Sequence, residues 1–243
     1  MACLEMHYSS AALSKQSGLY VVTPDAWDGA PLPVLYLLHG LSDDFSSWFR
    51  RSAIERHAQA HRMLVVMPDG GRGWYTNAVQ PPSNRFEDHI LEVVHRIDGL
   101  FNTVADRSGR GIGGLSMGGY GAVKLGLKHP ELFGSIHSHS GALDVSRMES
   151  HWTDEKSLIH GDTVPNSEDP MWLAAQVSPR PAVHIDCGVD DFLIEDNRRF
   201  HAHLEAIGYP HTYLEPAGDH SWPYWDANIV AALAFHAEHF AAL

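Results

Sequence analysis

The sequence predicts an α/β protein: a mostly parallel central sheet with helices on both faces. Three observations lead there. Short continuous apolar runs, such as Val34–Leu38 and Met63–Met67, have the character of strands buried on both faces. From Val34 onward such runs alternate with segments of helical apolar spacing. Turn-forming residues gather at the C-terminal ends of the runs, where open α/β sheets place their chemistry.

The elements follow in order. Leu4–Tyr8 and Gly18–Thr23 are expected as antiparallel edge strands, and 25–33 as a Gly/Pro-rich loop. Val34–Leu38 is a core strand ending in His39-Gly40-Leu41. Ser52–His61 is a short helix with Ser52 as candidate N-cap. Met63–Met67 is the next buried strand and 71–85 a loop. Phe86–Phe101 is a helix, with Ile90, Leu91, Val94 and Ile97 on its apolar side. Arg110–Leu115 is a strand whose glycines predict close neighbours. A helix follows Ser116 and stops before Pro130. Ser135–Ser140 and Val183–Cys187 are further core strands. Glu195–Ile207 is a helix closed by Gly208, His211–Glu215 the last strand, and Asp226–Phe240 a terminal helix burying Ile229, Val230, Leu233 and Phe240. The expectation is one domain over 1–243, with an irregular insertion or cap at about 142–177.

Composition narrows the partners. With 30 acidic against 17 basic residues the formal charge is −13, which argues against nucleic acid and an anionic membrane surface. No apolar run has the length of a membrane span. Two cysteines make no disulfide framework and the N-terminus has no signal-peptide pattern, so the cytoplasm is the expected compartment. A homo-oligomer stays open. Of the 18 histidines, His57, His61, His201, His203, His236 and His239 are expected as solvated side chains on surface helices.

Gly114-Leu115-Ser116-Met117-Gly118 fits G-x-S-x-G between a strand and a helix, the context of a nucleophile elbow. A side chain at Gly114 or Gly118 would crowd the turn, and the helix start aims free amides at the serine. A phosphate cradle fits worse, because no lysine follows at the required spacing. A serine needs a base and an orienting acid. The loop after Val183–Cys187 holds Asp190-Asp191, and the loop after His211–Glu215 holds Asp219-His220. Ser116, Asp191 and His220 then run in the order of an α/β-hydrolase triad. Asp191 is assigned as the acid and Asp190 as a capping or supporting group. Asp219 reads as a turn-former. The oxyanion donors are assigned to the backbone N–H groups of Leu41 and Met117, with His39 bracing the loop. Trp48, Phe49, Trp74, Tyr75 and Trp222 fall in loops near this end and are candidate pocket residues, with simple loop packing as the competing explanation. His137 and His139 share a strand face; without a third ligand at a supporting spacing they read as structural or pocket-lining rather than metal-binding.

Gly114–Gly121, with His39-Gly40-Leu41-Ser42, Gly73-Trp74-Tyr75-Thr76, Cys187-Gly188 through Asp191-Phe192-Leu193, and Gly218-Asp219-His220-Ser221-Trp222, resembles the tributyrin-esterase branch of the esterase D and S-formylglutathione hydrolase-like family, in order over nearly the whole chain. The resemblance implies an α/β-hydrolase fold and a serine carboxylesterase acting on short-chain acyl esters of small molecules, without metal or organic cofactor. It also implies the acid three residues after Gly188, at Asp191. The alternatives are S-formylglutathione thioester hydrolysis, acyl transfer to an alcohol or sugar, and a catalytically silent scaffold.

Overall fold

The structure, a computed structural model, describes residues 2–25, 27–80 and 84–241. The parts of the expected loops at residues 26 and 81–83, and the expected domain's ends at 1 and 242–243, lie outside the described residues. Among the described residues, eight strands form one sheet: β1 (Ala2–Ser10), β2 (Lys15–Thr23), β3 (Val34–Leu38), β4 (Leu64–Pro68), β5 (Arg110–Leu115), β6 (Ser135–His139), β7 (Ala182–Asp186) and β8 (Thr212–Leu214), in the order β1-β2-β4-β3-β5-β6-β7-β8. β1 and β2 are antiparallel, as is β2 against β4; every later pairing is parallel. This is the sheet of an α/β-hydrolase-like fold.

The alternation of side chains assigns each strand residue to a layer. On β3, Val34, Tyr36 and Leu38 face one apolar core, and Leu35 and Leu37 face the other. On β4, Leu64 and Val66 face the first core, and Val65 and Met67 the second. The first core is closed by α3 (Phe86–Leu100), α4 (Met117–Lys128) and α8 (Ile194–Ala206). The second is closed by α1 (Ser47–Arg51), α2 (Ile54–Ala58) and α9 (Trp222–Ala241). Burying each such Leu, Val or Ile stabilises by about 1.5–3 kcal/mol, so a one-residue slip, which would swap the two layers, is strongly disfavoured.

Several expectations need correction. The helix expected over Ser52–His61 is shorter, Ile54–Ala58, and a further short helix, Ser47–Arg51, precedes it; Ser52 lies between the two with extended backbone (φ −130, ψ 171). Its hydroxyl donates to Trp48 O at 2.5 Å and accepts from Ile54 N at 3.2 Å, so it ends one helix as it starts the next. The stretch 142–177 is not irregular: it holds the helices α5 (Met148–His151), α6 (Thr153–His160) and α7 (Pro170–Gln176). The last helix begins at Trp222, one turn before its expected start. Val230 is 46% exposed, because the buried stripe runs through Ile229, Ala232, Leu233 and His236. His236, expected in solvent, is 0% exposed. It faces β5 where a Cβ on Gly111 would come within 2.5 Å of its ring, and a Cβ on Gly113 within 1.8 Å of the His137 ring. The glycines of β5 thus make room for imidazoles.

Candidate active site

Ser116 is the residue between β5 and α4, with φ 55 and ψ −118, a conformation an L residue holds only when its surroundings enforce it. The enforcement is visible. Ser116 N donates to His139 O at 2.9 Å, and Tyr120 N donates to Ser116 O at 3.0 Å. A Cβ on Gly114 would lie 2.7 Å from Gly118 C, and one on Gly118 would lie 2.5 Å from Leu38 O. The elbow closes only with glycine on both sides.

Asp191 follows β7 and His220 follows β8, and the two loops are fastened backbone to backbone. Cys187 N donates to Leu214 O (3.1 Å), Val189 N to Pro216 O (3.1 Å) and Asp190 N to Gly218 O (3.0 Å). A Cβ on Gly188 would lie 2.3 Å from Gly218 O, so that contact requires glycine. The result brings the three predicted side chains together. Ser116 Oγ is 3.0 Å from His220 Nε2, and His220 Nδ1 is 2.8 and 3.0 Å from the two Asp191 oxygens. Asp191 is buried, and its Oδ1 also accepts Leu193 N at 2.8 Å, the capping bond expected of Asp190, which is itself exposed. Asp219 forms a turn, with Ser221 N donating to its carbonyl at 2.9 Å. The His220 ring stands edge-on against Trp225 and close to Phe192. With Nδ1–H donating to the carboxylate, Nε2 is left to accept the serine proton.

Leu41 and Met117 both line the cleft above Ser116, and their amides donate to no backbone carbonyl among the described residues. His39 sits behind the loop. Its Nδ1 donates to Gly40 O (2.8 Å) and its Nε2 accepts Gly70 N (2.8 Å), which requires the neutral ring.

The cleft measures about 460 Å³ and is walled by Trp74, Trp152, Phe192, Trp222 and Trp225, with Arg51 and Asp43 among its polar groups. Of the candidate pocket residues, Trp74 and Trp222 line it. Trp48 and Tyr75 do not. Trp48 lies on α1 beneath Trp222, ring centroids 5.2 Å apart, with its indole N–H on Leu38 O at 3.0 Å. Tyr75 is fully buried, its hydroxyl on His39 O at 2.9 Å. Phe49 also lies on α1, packed on Tyr20. Sequence reasoning missed Trp152, Phe192, Trp225 and Arg51. Phe192, next to Asp191, was within reach of that reasoning; Arg51 carried no signal.

His137 and His139 prove structural. His137 Nδ1 pairs with His236 Nε2 at 2.8 Å, and His236 Nδ1 with Ser135 Oγ at 2.7 Å. His139 Nδ1 donates to Asp186 Oδ2 at 2.7 Å, and Tyr224 O–H to Asp186 Oδ1 at 2.7 Å. Burial, then neighbouring imidazoles, pushes His137 and His236 well below the usual histidine range. Burial alone would raise the Asp186 carboxyl; His139 holds it well below its usual range instead. Among the described residues no cluster suits a metal ion, and no helix is long and apolar enough to cross a membrane.

Comparison with known proteins places this geometry. Residues 10–236 match the family described as "Putative esterase". The chain belongs to this esterase family. An esterase of Mycobacterium tuberculosis is 31% identical over 88% of this chain and 54% of its own, so the chain spans about half the length of that relative. The fluorophosphonate-binding serine hydrolase F of Staphylococcus aureus is 30% identical, with TM-score 0.89 over 97% of this chain and 98% of its own. An S-formylglutathione hydrolase from the same organism is 30% identical, with TM-score 0.86 over 97% and 98%.

Proposed function

We propose that the protein is a serine carboxylesterase that hydrolyses short-chain acyl esters of small molecules through an acyl-enzyme on Ser116. The observation that carries this is the unbroken relay from Ser116 Oγ through His220 to buried Asp191, at the floor of an aromatic cleft. His220 Nε2 takes the serine proton as Oγ attacks the ester carbonyl carbon. Asp191 keeps the ring in the Nδ1–H tautomer and stabilises the imidazolium. The carbonyl oxygen, now an oxyanion, receives the amides of Leu41 and Met117, each worth about 2.7–4 kcal/mol at the transition state. The imidazolium returns its proton to the leaving alkoxide. A water then repeats the sequence on the acyl-enzyme, releasing the acid and restoring Ser116. The partial positive charge at the start of α4 favours the same oxyanion.

The test is labelling by a fluorophosphonate, with hydrolysis of p-nitrophenyl acetate and butyrate. Stoichiometric modification at Ser116 and turnover of both esters are expected; folded protein whose Ser116 stays unmodified would sink the proposal. A second reading, thioester hydrolysis of S-formylglutathione, draws support from the likeness to the staphylococcal enzyme of that name. It predicts kcat/KM on that thioester at least a hundredfold above the acetate ester. A panel of acyl-chain lengths on one preparation measures the width of the acyl pocket.

A further inference from the structure

Tyr75 was expected in the pocket wall, and its actual place gives it a different task. Trp74 and Tyr75 are consecutive residues with left-handed backbone, φ 50 and 54. Non-glycine residues there cost of order 1–3 kcal/mol each and persist only where the surroundings hold them. Here the holder is Lys124, fully buried on α4. Its ammonium, with three N–H donors shared among four acceptors, lies against Tyr75 O (2.6 Å), Thr76 Oγ1 (3.0 Å), Glu87 Oε2 (3.0 Å) and Glu168 Oε2 (2.9 Å). Glu168 lies in the 142–177 segment and Glu87 on α3, so one cation ties both to the turn. The two left-handed residues send their side chains apart. Trp74 goes to the cleft, against Trp152 at 4.9 Å. Tyr75 goes beneath the loop after β3, into notches where a Cβ on Gly70 would lie 2.3 Å, and one on Gly121 2.4 Å, from its ring.

At the end of that ring the phenol donates to His39 O at 2.9 Å. A trans peptide is planar, so fixing a carbonyl fixes the opposed N–H of the next residue. Tyr75 thereby sets the His39–Gly40 plane. The next plane, Gly40–Leu41, is set by His39 Nδ1 (2.8 Å) and Asp43 N (3.2 Å), both donating to Gly40 O. Its N–H is the assigned oxyanion donor. We propose that Tyr75, anchored through Lys124, is a positioning residue that aims the Leu41 amide at the developing oxyanion. Burial pushes the phenol well above its ordinary range, so it stays a donor at any working pH. The inference rests on the esterase reading and on Leu41 as donor.

Tyr75→Phe keeps the ring in its notches and removes only the O–H. Turnover is measured per Ser116 titrated with fluorophosphonate, on p-nitrophenyl acetate. The expected result is a fall in kcat of about tenfold or more with KM changed less than twofold, because the loss falls on the transition state. The control is Tyr209→Phe, which removes an equally buried phenol bond, to Pro181 O at 2.8 Å, at the sheet's other end. It is expected to lower Tm and leave kcat per site unchanged. Unchanged kcat per site in Tyr75→Phe, a rise in KM alone, or an equal fall in Tyr209→Phe would each overturn the inference. Wild-type protein that neither labels nor turns over would instead defeat the esterase reading.

Discussion

Two histidine–aspartate pairs stand side by side in this molecule, and only one of them opens onto the cleft. His139 and Asp186, at the ends of β6 and β7, are 2.7 Å apart, with side chains 0% and 1% exposed. His220 and Asp191, one loop further along, are 2.8 Å apart, with the imidazole 20% exposed and the carboxylate 0%. The pairs differ at the ring's other nitrogen. Nε2 of His220 meets a serine hydroxyl at 3.0 Å; Nε2 of His139 is buried with no hydrogen-bond partner among the described residues. A hydrogen-bonded His–Asp pair is therefore not a catalytic device in itself. On the proposed mechanism it becomes one only where a strained turn presents a nucleophile beside a cleft.

Substitutions can break this contrast. Ser116→Ala is expected to cause the largest loss, about a million-fold in kcat, with the folded state intact; esterase assays and thermal melts check both halves. Asp191→Asn should lower kcat about ten-thousandfold by permitting the wrong tautomer. The matching change in the buried pair, Asp186→Asn, should behave oppositely. Unfolding free energy should drop by about 3 kcal/mol in urea titrations, while turnover per titrated serine stays within twofold. If Asp186→Asn instead silences titrated enzyme, the two pairs are not functionally separate.

The buried histidines also set a pH dependence of stability. His137 and His236 sit well below the ordinary value of 6.5, and burial pushes His89 and His160 down to about 4. The unfolded chain takes up protons below 6.5 that the folded protein refuses, so stability is full above that pH and is lost as pH falls from 6.5 toward 4. Each such histidine contributes about 1.4 kcal/mol per pH unit in that window. Urea midpoints at pH 7 and pH 5 test it; a flat profile would mean the native state already holds those protons. The smallest expected effect lies in the cleft wall. Trp152→Ala should raise KM a few-fold for butyrate and less for acetate, with kcat nearly constant.

Much of this was legible in the sequence. β3 and β5 fall on the expected residues, because a fully buried strand is a continuous apolar run with glycine where neighbours press close. The elbow and the loop ends were readable because strand-to-loop junctions carry turn residues. The helices in 142–177 were not legible: they are short, and the segment is tied down by contacts remote in sequence, such as Lys124 to Glu168 in the turn before Pro170–Gln176. Both Trp74 and Tyr75 were expected at the cleft, but the left-handed pair sends the two side chains apart and only Trp74 reaches it. His236 was misplaced because its burial depends on β5 glycines far away in sequence.

The aromatic wall has a spectroscopic consequence. Of the protein's 7 tryptophans, Trp74, Trp152, Trp222 and Trp225 line one cleft, and Trp48 packs beneath it. Indole emission is thus concentrated where a substrate would sit, and the native chain carries its own fluorescent gauge of occupancy, with no label attached.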